Sequence, residues 1–134
     1  MANVKKINGY DLIDSKYIKY TGNIEDIELD SWNNWGSIQN NYLDITLPTG
    51  WNINDVFIIG GYYEITDPDN SSFRVKENLG EQFDISGNIK SIAYIDYVLM
   101  TDPTEDSIRF VFFNLANEYV NKNLSFSLLI YNKA

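Results

Sequence analysis

From Asn41 onward the chain keeps a steady β pattern, in short alternating or apolar runs divided by turn residues. Between Tyr42 and Leu47, the residues Leu43, Ile45 and Leu47 fall on one face, and Tyr42, Asp44 and Thr46 on the other. Near the end, Leu124, Phe126, Leu128 and Ile130 alternate with Ser125, Ser127, Leu129 and Tyr131. A helix would return its apolar face about every 3.6 residues, so this spacing builds half-buried strands instead. Further runs at Phe73 to Lys76, Ile89 to Met100 and Ile108 to Phe113 read as strands as well. The stretch Val56-Phe57-Ile58-Ile59 is continuously apolar and precedes Gly60-Gly61, Tyr62 and Tyr63. It reads as a buried central strand, with the glycines at a bulge or close approach. Strands of this length at fairly regular intervals predict an all-β fold, an antiparallel β-sandwich of jelly-roll-like form.

The first third is patterned differently. Asn8-Gly9 is a hairpin-turn signal, and Val4 to Ile7 and Tyr10 to Ile13 are its expected arms. Residues 18–41 follow neither period, and Asp30 to Ser37 has loop composition around Trp32 and Trp35. The expected organisation is an N-terminal attachment segment and linker over 1–41, followed by the sandwich over 42–134. A Thr-Asp-Pro triplet recurs, at Thr66-Asp67-Pro68 and at Thr101-Asp102-Pro103. Ser72 and Arg74 follow the first, Ser107 and Arg109 the second, at matching offsets. Two similar hairpin turns are expected there.

Composition removes several functions. The chain of 134 residues has no cysteine and no histidine. Disulfides, thiolate zinc sites and His-dependent triads are therefore excluded. The formal net charge of −9 leaves no cationic footprint for nucleic acid, and anionic membrane surfaces would repel it. Met1 to Lys6 is polar, so no secretory signal or spanning helix is expected. Nineteen acidic residues make close carboxylate pairs inevitable, and their spacing singles out none for acid–base work. The expected protein is not an enzyme and carries no cofactor.

Candidate binding residues are aromatic. Trp32, Trp35 and Trp51 fall in predicted loops beside Asn and Asp, and Tyr62 follows the paired glycines. Such side chains can stack on a saccharide while neighbouring amides and carboxylates take its hydroxyls. They can equally plug the ends of a sandwich or a subunit interface. Asp67, Asp69 and Asn70 form an oxygen-rich loop that is a candidate Ca²⁺ site, and turn chemistry explains the same residues.

The leader Ile7-Asn8-Gly9-Tyr10-Asp11-Leu12-Ile13-Asp14 resembles the opening of minor structural proteins from tailed bacteriophages of Gram-positive hosts. Ser15, Lys16 and Tyr17 stand where that family continues into an alanine-rich shaft. The runs Asp55 to Gly60 and Ile108 to Asn114, and the final alternating strand, resemble the β-rich terminal domains of phage fibre and baseplate proteins. The resemblance implies a virion protein, a homotrimer attached to other virion proteins through its N-terminal segment and binding a host-surface glycan or docking on the particle. A capsid decoration or head-fibre protein, and a free bacterial carbohydrate-binding module, remain alternatives.

Overall fold

The computed structural model describes residues 6–14, 16–83, 86–97 and 107–134. Among them the chain forms eleven strands: β1 (Lys6–Asp14), β2 (Tyr17–Ile24), β3 (Ser31–Asn33), β4 (Gly36–Ile38), β5 (Tyr42–Thr46), β6 (Val56–Asp67), β7 (Asn70–Asn78), β8 (Gly80–Phe83), β9 (Ile89–Asp96), β10 (Ser107–Asn114) and β11 (Asn123–Asn132). One sheet has the order β1-β2-β11-β6-β7 and a second the order β5-β10-β9-β8, while β3 and β4 form a separate two-stranded hairpin. Every pairing is antiparallel. The two larger sheets pack face to face, which makes the domain the all-β sandwich that the alternating pattern predicts.

The apolar half of each alternating strand supplies the layer between the sheets. Leu124, Phe126, Leu128 and Ile130 of β11 meet Ile108, Phe110 and Phe112 of β10 in one buried cluster. Phe126 stacks on Phe110 with ring centroids 4.0 Å apart and 8° between planes, and Tyr63 lies 5.3 Å from Phe112. The Tyr20 hydroxyl donates across the gap to the Thr46 carbonyl. Gly22, paired with Phe126, gives that ring its place. A Cβ there would stand 2.6 Å from Phe126 Cζ and 2.9 Å from Leu43 Cδ2.

Several expectations change on contact with the structure. The stretch beginning at Val56 is an inner strand, but β11 holds the middle of its sheet. The Val56 to Ile59 run is also not buried throughout, since Phe57 and Ile59 are half exposed. Ile130 pairs with Ile58 and Leu129 with Gly60, so Ile59 is an extra residue, a bulge. The bulge shifts the alternation: Val56 and Ile58 face the core before it, and Tyr63 and Ile65 after it. Asn8-Gly9 is not a hairpin turn. Ile7 pairs with Gly22 and Tyr10 with Tyr20, so Asn8 and Gly9 together oppose one residue of a single strand. The reversal comes at Lys16 instead. The sheet also takes up residues that the sequence pattern left in a linker. β2 lies between β1 and β11 and contributes Ile18, Tyr20 and Ile24 to the core. Val4, Met100 and the second Thr-Asp-Pro turn, Thr101 to Asp106, lie outside the described residues.

These contacts make Gly22 a sensitive position and Gly60 a tolerant one. In urea unfolding, Gly22→Ala is expected to lose roughly 1–3 kcal/mol through overpacking. Gly60→Ala, whose nearest neighbour would be 4.0 Å away, is expected to stay within about 0.5 kcal/mol of the parent. Equal effects at the two positions would contradict this packing.

Candidate functional site: a tryptophan hairpin on the four-stranded sheet

The β3–β4 segment, loop-like in composition, folds as a tight hairpin. The Asn33 side-chain oxygen accepts from the Trp35 backbone N–H at 2.9 Å, closing a local turn. Gly36 follows with φ of +123°, a conformation that β-carbon residues avoid. Trp35 is thereby carried at the tip and is 97% exposed. Trp32 is 65% exposed, yet one side of it is held. Its ring meets Phe113 edge-on at 4.8 Å and 73°. Phe112 points into the sandwich, so Phe113 points out of it, and the hairpin lies over the outer face of β10.

A buried carboxylate fixes the hairpin's base. Asp30 is 3% exposed. One of its oxygens accepts from the Asn40 N–H at 2.5 Å, and the other from Asn114 N–H at 2.8 Å and Asn41 Nδ2 at 2.9 Å. The Asp30 N–H donates back to the Asn114 carbonyl at 2.8 Å. Asn41 in turn bridges both backbone groups of Glu28, each at 2.8 Å. Asn114 accepts from the Ser91 hydroxyl at 3.1 Å and from Ala116 N–H at 3.0 Å. Residues on both sides of the hairpin are thus bolted to β10 and β9.

Register then defines the rest of this outer face. Arg109 lies between Asp44 and Asp96, and Val111 between Tyr42 and Tyr94. Val111 is fully covered in its place between the two tyrosines. Arg109 engages Asp44 through Nε at 2.7 Å and Nη2 at 3.1 Å, and its guanidinium lies 4.1 Å from the Tyr42 ring centre. That hydrogen bond holds Arg109 protonated above its ordinary range, against the opposing effect of burial. Gln39, leaving the hairpin, donates to the Tyr94 hydroxyl. Burial, followed by the charges of Asp96 and Asp30, pushes the Tyr94 phenol up, while Gln39 and Arg109 oppose the shift. At neutral pH Tyr94 therefore presents a neutral hydroxyl.

The predicted binding residues do not form one site. Trp32 and Trp35 come together, but Trp51 is half-buried against the core in the loop before β6. Tyr62 follows the β6 bulge onto the outer face of the other sheet, 39% exposed, with Lys76 Nζ 4.8 Å from its ring. Asp67 and Asn70 close the β6–β7 turn: Asp67 accepts from Asp69 N–H at 2.9 Å and Asn70 from Ser72 N–H at 3.0 Å. Asp67 also faces Lys122 at 3.8 Å. Among the described residues, no three acidic side chains gather as they would around a metal ion. Glu25, Asp26 and Glu28 line a cleft of about 480 Å³ at the end of the sandwich, and Phe57 and Tyr97 line another of about 460 Å³. No helix among the described residues is long and apolar enough to cross a membrane.

The residues that complete the tryptophan face were not singled out by sequence. Alternation did place Tyr42 and Asp44 on the face away from the core. Nothing in the order of residues pairs Asp44 with Arg109, or brings Gln39 to Tyr94. No family model, curated protein or solved structure matches this chain.

Asp30→Asn would set an amide N–H₂ against donors already in place. It is expected to lose roughly 2–4 kcal/mol of stability in denaturant unfolding. A loss under about 0.5 kcal/mol would show that the carboxylate is not what holds the segment.

Proposed function

We propose that this chain is a non-catalytic adhesion module that holds a glycan through the Trp32–Trp35 hairpin. The observation that carries this reading is Trp35 at 97% exposure. Burying a large apolar side chain contributes about 1.5–3 kcal/mol, and a tryptophan left in water at a turn contributes none of it to folding. The turn closes through Asn33 and Gly36, so the indole is not needed for its geometry. Its area is available to a partner. Trp32, with one edge braced on Phe113, adds a second indole with less freedom to lose on binding. Asn33, Asn34 and Gln39 stand beside them with amides that can bond hydroxyl groups.

The resemblance of Ile7 to Asp14 to phage structural proteins supports a virion as the setting. There the module would act as the receptor-binding or docking part of a tail fibre or baseplate, as a homotrimer joined to other virion proteins. A capsid decoration protein would use the same hairpin in the same way.

Fluorescently labelled protein tested by flow cytometry on a panel of Gram-positive cells is expected to bind at least one strain. Trp35→Ala is expected to weaken that binding by about tenfold or more, equivalent to about 1.4 kcal/mol, with an unchanged melting transition. Binding to no strain, or full binding by both Trp32→Ala and Trp35→Ala, would contradict the proposal.

A further inference from the structure

We infer that the glycan taken by this module is uncharged and longer than one sugar, with a second ring lying over the Tyr42–Tyr94 row. This rests on the reading of the hairpin as the glycan contact and specifies the ligand class. The aromatic surface is continuous along β10. Phe113, under Trp32, and Val111, between Tyr42 and Tyr94, are two residues apart on β10 and on one face. They are therefore separated by about 7 Å along the strand. Gln39 joins the hairpin to that row through the Tyr94 hydroxyl. An extended ligand leaving the indoles along β10 meets aromatic surface first and then the Asp44–Arg109–Asp96 row.

The charges of this face favour a neutral ligand. Arg109 and Lys90 are the cations that the described strands of this sheet carry. Lys90 is paired with Glu118. Arg109 already gives two nitrogens to Asp44 and lies against the Tyr42 ring. An anionic sugar would have to displace Asp44 while approaching Asp96, on a protein of net charge −9. A neutral sugar meets the opposite situation. Its hydroxyls donate to Asp96 in charge-assisted hydrogen bonds, and its ring stacks on tyrosine.

The test is calorimetric titration of the full chain with two probe sets. One contains neutral hexasaccharides: cello-, malto-, manno- and chito-oligomers. The other contains anionic chains: oligogalacturonate, hyaluronan oligomers and poly(glycerol phosphate). At least one neutral hexasaccharide is expected to bind with little dependence on salt, and no anionic chain to bind as tightly. For that ligand, Trp35→Ala is expected to weaken binding about tenfold or more, and the conservative Asp96→Asn about three- to tenfold. The corresponding monosaccharide is expected to bind more weakly and to be indifferent to Asp96→Asn. A tightest ligand that is anionic and salt-sensitive would overturn the inference. So would a neutral ligand unaffected by Asp96→Asn and by Tyr94→Phe. If no probe binds but Trp35→Ala still abolishes cell adhesion, the glycan class falls while the hairpin stands as the contact. If Trp32→Ala and Trp35→Ala both bind in full, the hairpin reading falls as well.

Discussion

Three hydrogen-bond donors converge on the Asp30 carboxylate, and the direction of the tryptophan hairpin depends on them. A buried carboxylate is costly unless its oxygens are satisfied, and here Asn40, Asn41 and Asn114 satisfy them. Because Asn114 belongs to β10 and Asn41 precedes β5, that satisfaction requires the segment around the hairpin to sit in one place on the sheet. A two-stranded hairpin is marginal by itself in water. Tied down at Asp30 and braced by Trp32 on Phe113, it becomes part of the sheet's outer surface.

The core explains why such a surface exists. β10 is buried on both faces. Its inner side chains, Phe110 and Phe112, form the aromatic layer with Phe126 and Tyr63. Its outer ones, Val111 and Phe113, carry the tyrosines and the hairpin. Rigid packing on the inner side holds the outer groups at fixed separations, which is what a binding face requires if little entropy is to be lost on contact.

Period-two alternation was enough to locate β5, β7 and β11, because a half-buried strand writes its two faces directly into the chain, while β10, buried on both faces, showed as a short apolar run; together they predict a sandwich. Alternation failed where backbone geometry, rather than hydrophobicity, sets the structure. The pleat sends Phe57 out of an apparently continuous buried run, and the bulge at Ile59 then shifts which residues after it face the core. The Asn8-Gly9 pair served a bulge although its residues fit a turn equally well. β2 alternates Ile18, Tyr20, Gly22 and Ile24 inward with Lys19, Thr21 and Asn23 outward, and it was hidden because Gly22 leaves a gap with no hydrophobic signal in that inner face. Of the site, the indoles were visible as aromatics in a polar stretch. Asp30, Asn41, Tyr94 and Arg109 were not, since their roles arise from pairings between residues far apart in the chain.

Adhesion through the hairpin turns on three tryptophans in different surroundings: Trp35 free at a tip, Trp32 braced on one edge and Trp51 packed on the core. Their three indole N–H signals in a two-dimensional NMR spectrum, followed during titration with fragments of a cell wall to which the protein adheres, test it most directly. The Trp32 and Trp35 signals are expected to move together while the Trp51 signal stays still. Movement of Trp51 with Trp35 unperturbed would contradict it.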